Sequence, residues 1–203
     1  MMYLVVLLFL LTTLSRSQGD LLRSGQNGIA ISGEVAGANG TGAVGVAVGY
    51  SIESRFDIGL SVGRINGIHS ETISYYPSTH ATFVAPHVTY YVVHQDSLDH
   101  DITMGLTASY ESIHYGTTNY RSPTEESISG GIAFTGDLLP SSWITFQPEG
   151  SITVISGSDV ETQIAGGFFL GVKNAIGKVS GISAAVAYQN GMFSGQVSIL
   201  AVF

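Results

Sequence analysis

Residues 193–203 read FSGQVSILAVF, and this stretch decides the fold. Its odd positions are Phe193, Gly195, Val197, Ile199, Ala201 and Phe203; its even positions begin Ser194, Gln196, Ser198. Successive side chains of a strand point to opposite faces, so one face here is apolar and the other small and polar. The same period of two recurs upstream. Ile29, Ile31, Gly33 and Val35 alternate with Ala30, Ser32, Glu34 and Ala36. Val44, Val46, Val48 and Tyr50 alternate with Ala43, Gly45, Ala47 and Gly49. Stretches at 56–62, 83–92, 102–111, 127–135, 144–154, 163–172 and 181–188 behave alike, which makes ten candidate strands of about eight to eleven residues each. Strands of soluble proteins run to about five or six residues. A tilted strand that crosses a bilayer needs about nine to eleven.

The chemistry of the two faces points the same way. A soluble barrel carries Lys, Glu and Arg on its outer face. Here one face holds Val, Ile, Leu, Phe and Tyr, and the other Gly, Ala, Ser and Thr with an occasional acid. That distribution predicts a barrel that is apolar outside and small and polar inside. Composition agrees: charged residues are 11% of the 203, Gly contributes 26, and mean hydropathy is +0.31. An ordinary soluble domain carries about twice that charge fraction. The absence of Cys excludes a disulfide-stapled module, thiolate metal sites and a thiol nucleophile. With 7 Lys plus Arg against 15 Asp plus Glu, net charge −8, a nucleic-acid partner is not expected. No cofactor is expected either.

The fold expectation is therefore an all-β, antiparallel, up-and-down transmembrane β-barrel of ten strands over 18–203. Eight is the alternative if the joints at 38–40 and 190–192 are local kinks. Before the barrel, 3–14 reads YLVVLLFLLTTL, too short for a membrane-spanning helix, and Ser15-Arg16-Ser17 follows. We read 1–17 as a secretory signal peptide cut after Ser17, although no Lys or Arg precedes the apolar run. An uncleaved anchor and a buried core helix are the other readings of that run. Asn39-Gly40 and Asn190-Gly191 are tight hairpin signals. The joints at 66–78 and 113–125 are the longest, and both fall on the outer side if the N-terminus is periplasmic. The joint at 139–141 reads as short, and 94–101 as intermediate and acidic.

Aromatic residues near strand ends suit a membrane–water boundary: Tyr50 with Phe56, Tyr90 with Tyr91, Tyr110, Trp143, Tyr188 with Phe193, and Phe203. Core packing is the alternative for such rings, and their pairing with the alternation weakens it. The terminal strand also resembles that of bacterial outer-membrane β-barrel proteins, in the alternating Val197, Ile199 and Ala201 and the closing Phe203. Ala201 is smaller than the residue usual there. The resemblance implies an outer-membrane location in a Gram-negative bacterium, with export through the periplasm. It implies that Val197, Ile199 and Phe203 serve as a signal to the barrel-assembly machinery, with periplasmic chaperones as transient partners. Outer-membrane lipid and lipopolysaccharide would surround the barrel, which is expected to be monomeric.

By parity Glu34, Glu111 and Glu149 point into the lumen, with His87 beside them, and few cations face them. Unpaired buried carboxylates take up a proton or a cation, so the lumen is cation-friendly or else filled by hydrogen-bonded structural side chains. His94, Asp96, Asp99, His100 and Asp101 form the densest cluster of potential ligands, yet they fit a solvated turn and no metal is expected. Ser112 and His114 could suggest a hydrolase, but a triad is defined by geometry and not by proximity in sequence. No catalytic residue is assigned. The functions that remain are a structural or surface-interaction barrel acting through its outer loops, a narrow pore or small-ligand transporter, and, least favoured, a lipid-modifying enzyme.

Overall fold

The computed structural model describes residues 21–22, 25–38, 41–67, 80–95, 102–116, 124–140, 142–173 and 179–203. The leader expectation at 1–17 and the Asn39-Gly40 turn lie outside them. Ten antiparallel strands follow one another: β1 (Gly28–Ala38), β2 (Thr41–Ile52), β3 (Phe56–Asn66), β4 (His80–Val93), β5 (Thr103–Tyr115), β6 (Thr124–Thr135), β7 (Ile144–Ser156), β8 (Val160–Lys173), β9 (Val179–Gln189) and β10 (Met192–Val202). Each pairs with its sequence neighbours, and β10 returns to β1, so the sheet closes into a barrel without edges. The seam runs from Gly37↔Gly195 to Ala30↔Val202. It is finished by Phe203, whose N–H donates to the Ile29 carbonyl at 2.8 Å while the Ile29 N–H donates back at 3.0 Å.

The hairpin at Asn190-Gly191 is a true reversal, with φ of 49° and 81° at the two residues. This settles the strand count at ten against eight. The strands run to 11–14 residues, longer than the eight to eleven expected, because the alternation continues through polar residues at their ends. Two joints shift accordingly. The β5–β6 connection shrinks to 116–123, and the β6–β7 connection grows from 139–141 to 136–143. We call the end bearing Gly28 and Phe203 the terminal mouth and the other the distal mouth. Connections 67–79 and 116–123 both lie at the distal mouth, as anticipated. The terminal mouth is less trim than anticipated, since 94–102 and 136–143 lie there.

Two prolines sit inside strands where their missing N–H costs little. Pro148 lies beyond the last β6–β7 pair, Thr135↔Glu149, and its carbonyl accepts the Thr135 hydroxyl at 3.0 Å. Pro86 falls where the β4–β5 ladder passes from Val84↔Ser112 to His87↔Ser109.

Burial alternates along every strand. Large apolar side chains on all ten point outward and are exposed, including Ile31, Val46, Leu60, Val88, Leu106, Ile132, Val154, Leu170, Val186 and Ile199. Inside, two apolar clusters lie near opposite mouths. Ile65, Ala81, Phe83, Ile113 and Tyr115 pack near the distal mouth. Leu21, Leu22, Phe169, Val179, Leu200 and Val202 pack near the terminal mouth, so the segment before β1 is tucked into the barrel. The large inward rings lie against glycines. A Cβ on Gly63 would come within 2.4 Å of the Phe83 ring, one on Gly59 within 2.2 Å of His87, and one on Gly181 within 2.7 Å of Phe169. Gly63↔Phe83 and Gly59↔His87 are direct cross-strand pairs, so each ring occupies the space its partner leaves.

Candidate functional site: the polar lumen

The inward positions of β1, β2 and β10 are buried almost throughout, whereas most of those along β6, with Thr107 and Ser109 on β5 and Glu149 on β7, are half-buried. Thr107, Ser109, Ser127, Gly131, Ala133, Thr135 and Glu149 thus line a crevice on the β5–β7 side of the lumen. It is interrupted at Ser129, which is buried and whose hydroxyl lies 2.7 Å from that of its β5 partner Ser109.

All four lumen candidates do face inward, but they stand on separate walls. Glu34 on β1 is buried and accepts the Ser32 hydroxyl at 2.9 Å. His87 on β4 lies over Gly59, near the Asp57 carboxylate. Glu149 on β7 is half-buried in the crevice. Glu111 on β5 is fully buried, and both of its carboxylate oxygens lack a hydrogen-bond partner. The Glu125 carboxylate is close enough to act on it electrostatically. Glu125 in turn accepts the Tyr115 hydroxyl at 2.5 Å. Among the described residues no three His, Asp or Glu come together as a metal site.

Several polar groups escaped the sequence reading. The 113–125 joint read from the sequence takes in Glu125, although one more step of the Ser127–Ser129 alternation puts it inward. Tyr91, expected at the boundary with Tyr90, is buried inside and donates to Asp57 at 2.9 Å. Its place on the inward parity with Phe83 and His87 was the available signal. Gln163, Gln189 and Glu161 form a ladder across β8 and β9 in which the Gln189 amide donates to Glu161. Asp137 organises the terminal mouth. It takes Lys173 Nζ at 2.6 Å and the N–H groups of Leu139 and Phe146 at 2.9 and 3.3 Å, while the Gln95 amide bonds its backbone at 2.6 and 3.0 Å.

The outward aromatics are where parity puts them. Tyr50, Phe56, Tyr90, Trp143 and Phe203 ring the terminal mouth. Tyr188 and Phe193 sit at the distal mouth with ring centroids 5.0 Å apart, and Tyr110 stands deeper on β5. Val197, Ile199 and Phe203 are all exposed on the outer face. Also outward is a groove of about 630 Å³ over Gly37, Gly166, Ala184 and Gly195, lined by apolar and small residues except for Gln196. Ser112 and His114 share the outward face of β5, and His114 Nδ1 lies 3.1 Å from Thr124 Oγ1, so the pair looks away from the lumen. Of the acidic turn, His94 bonds the Gln95 carbonyl at 2.9 Å, while 96–101 lie outside the described residues.

No protein-family model matches the chain. No curated protein matches it either. Among solved structures it is similar to the N-terminal β-barrel domain of Pseudomonas aeruginosa OprF, at 12% identity over 89% of this chain and 100% of that one, TM-score 0.42. The NanC porin is similar at 10% identity over 85% and 98%, TM-score 0.41. The outer-membrane protease OmpT from Escherichia coli is similar at 9% identity over 88% and 92%, TM-score 0.40. At such identities none of them assigns an activity to this chain.

Proposed function

We propose that the chain is an outer-membrane β-barrel of a Gram-negative bacterium, exported by its leader, with a structural or surface-interaction role through the distal connections 67–79 and 116–123. The observation that carries this reading is the sorting of side chains: every strand exposes large apolar residues to the outside, and the inside holds the small and polar ones. A soluble monomer rarely exposes an apolar patch beyond a few hundred Å². Here the belt encircles the barrel. Strands of 11–14 residues rise about 3.4 Å per residue and, tilted by about 45°, clear the hydrocarbon layer. Outer-membrane lipid and lipopolysaccharide would cover the belt. The assembly machinery would engage Val197, Ile199 and Phe203 during insertion, and the folded barrel would be a monomer.

A structural or interaction role is favoured over transport by the two apolar clusters, which occupy part of the lumen near each mouth. The half-buried crevice along β6 is the feature that favours the second reading, a narrow pore. Cell fractionation with heat-modifiable gel mobility tests the location: the barrel should sediment with outer membranes and migrate differently before and after boiling. Recovery in the periplasmic or culture fraction, with no mobility shift, would sink the reading. Shortening both distal connections should abolish surface binding while leaving the mobility shift intact.

A further inference from the structure

We propose that Glu111, Glu125 and Ser127 hold one calcium ion in the lumen near the distal mouth, a site independent of the surface role proposed above. Glu111 is fully buried, and neither of its carboxylate oxygens has a hydrogen-bond partner. A buried carboxylate left in that condition is costly, so a compensating group belongs beside it. Cross-strand register says which residues share the spot. Glu111 pairs directly with Ser127, and Glu125, two residues along β6, is its diagonal neighbour on the same inward face. Direct partners stand about 5 Å apart at Cβ and diagonal ones about 7 Å, a span that two glutamates reach across when an ion sits between them.

No described cation is available to fill that role. Lys173 is bound to Asp137 at the terminal mouth, Arg55 is in the β2–β3 turn at the same end, and Arg64 faces outward on β3, donating to Asn66 at 3.1 Å. The donors are all oxygen: two carboxylates, the Ser127 hydroxyl, and the phenol oxygen of Tyr115, which already bonds Glu125. Oxygen ligands select a hard cation, and two carboxylates balance a divalent one. Calcium tolerates an irregular shell of six to eight oxygens completed by water, whereas magnesium demands a near-ideal octahedron. Glu125 and Ser127 are half-buried at the upper part of the crevice, which gives water and an ion a way to the site.

The test is calorimetric titration of calcium into the chelator-stripped, refolded barrel in detergent, with the heat-modifiability midpoint measured in calcium and in chelator. Uptake of one ion per barrel and a higher midpoint in calcium are expected. Glu111→Gln and Glu125→Gln preserve side-chain size and should each weaken binding by about tenfold or more and remove the midpoint shift. Glu53→Gln, in an exposed turn, should change neither, and magnesium should bind more weakly than calcium. No uptake by the wild-type barrel overturns the proposal, as does full binding by Glu111→Gln. A stripped barrel stabilised by Glu111→Gln and indifferent to calcium would mean that the carboxyl holds a proton. A calcium-indifferent barrel destabilised by Arg121→Ala would mean that the Arg121 guanidinium is the counter-charge. Either outcome overturns it.

Discussion

Glycine in this barrel has two kinds of position, and parity alone separates them only halfway. Most outward glycines, such as Gly33, have open space or only distant neighbours where a side chain would go, although a Cβ on outward Gly150 would meet the Phe134 ring at 2.4 Å. Inward ones lie under rings or against backbone. A Cβ on Gly181 would fall 2.2 Å from the Leu170 carbonyl oxygen and 2.5 Å from Gly171 Cα. Backbone cannot swing aside as the end of a flexible side chain can, so the strands themselves would have to part. Gly181→Ala should therefore destabilise the barrel by about 1–3 kcal/mol. Gly33→Ala should stay within about 0.5 kcal/mol of the parent. Urea unfolding of the two variants in lipid vesicles compares them directly, and equal midpoints would refute the distinction. The alternation in the sequence was enough to point Gly45, Gly59, Gly63 and Gly181 inward. It could not say which of them carries a ring, because that depends on cross-strand register, as in Gly63↔Phe83. The same gap hid the Glu125–Tyr115 contact, a meeting of two neighbouring strands that neither segment announces alone.

At the scale of the element, what the sequence obscured was where strands stop. Alternation marks a strand while apolar and small residues exchange places, but it fades in polar runs such as 111–115 and 124–127, both of which are strand. The joint 136–143 reads in sequence as little more than its proline, yet its centre is Asp137. One carboxylate oxygen accepts the N–H groups of Leu139 in the turn and Phe146 in β7, and the other holds Lys173 from the end of β8. The turn and two strand ends are thereby tied at one point, and the Gln95 amide adds the β4–β5 connection to it. Asp137→Ala leaves two N–H groups and an ammonium without their acceptor and should cost about 1–3 kcal/mol. Lys173→Met alone should cost less, since that side chain is partly exposed and water can replace the ion pair for Asp137. In a double-mutant cycle on urea midpoints the two changes should be clearly non-additive. Additive effects would show that the Lys173 contact does not contribute to the turn.

For the whole molecule, closure and filling are separate matters. Closure follows from ten strands in register and was legible from the repeat of alternating segments. Filling was not, because small inward residues suggest space, and the few large ones decide how much of it survives. Phe83 near the distal mouth and Phe169 near the terminal mouth are both fully buried and lie in series along the barrel axis. Leu21 and Leu22 reinforce the second cluster from before the first strand. The half-buried inward positions along β6 are interrupted at Ser129, which is buried. An ion crossing the barrel would have to shed most of its water at that point, at a cost that no described Lys or Arg offsets for an anion and that the Glu111 carboxylate offsets only in part for a cation. The wild-type barrel should accordingly give no sustained current steps in planar bilayers. Phe83→Ala combined with Phe169→Ala removes a ring from each cluster and widens the lumen near both mouths. That variant should conduct in discrete steps while keeping its heat-modifiable mobility, and its current should favour cations, because Glu34, Glu111 and Glu149 all face the lumen. Steady conductance in the wild type would show that the crevice is continuous, and would move the balance from a filled scaffold to a pore.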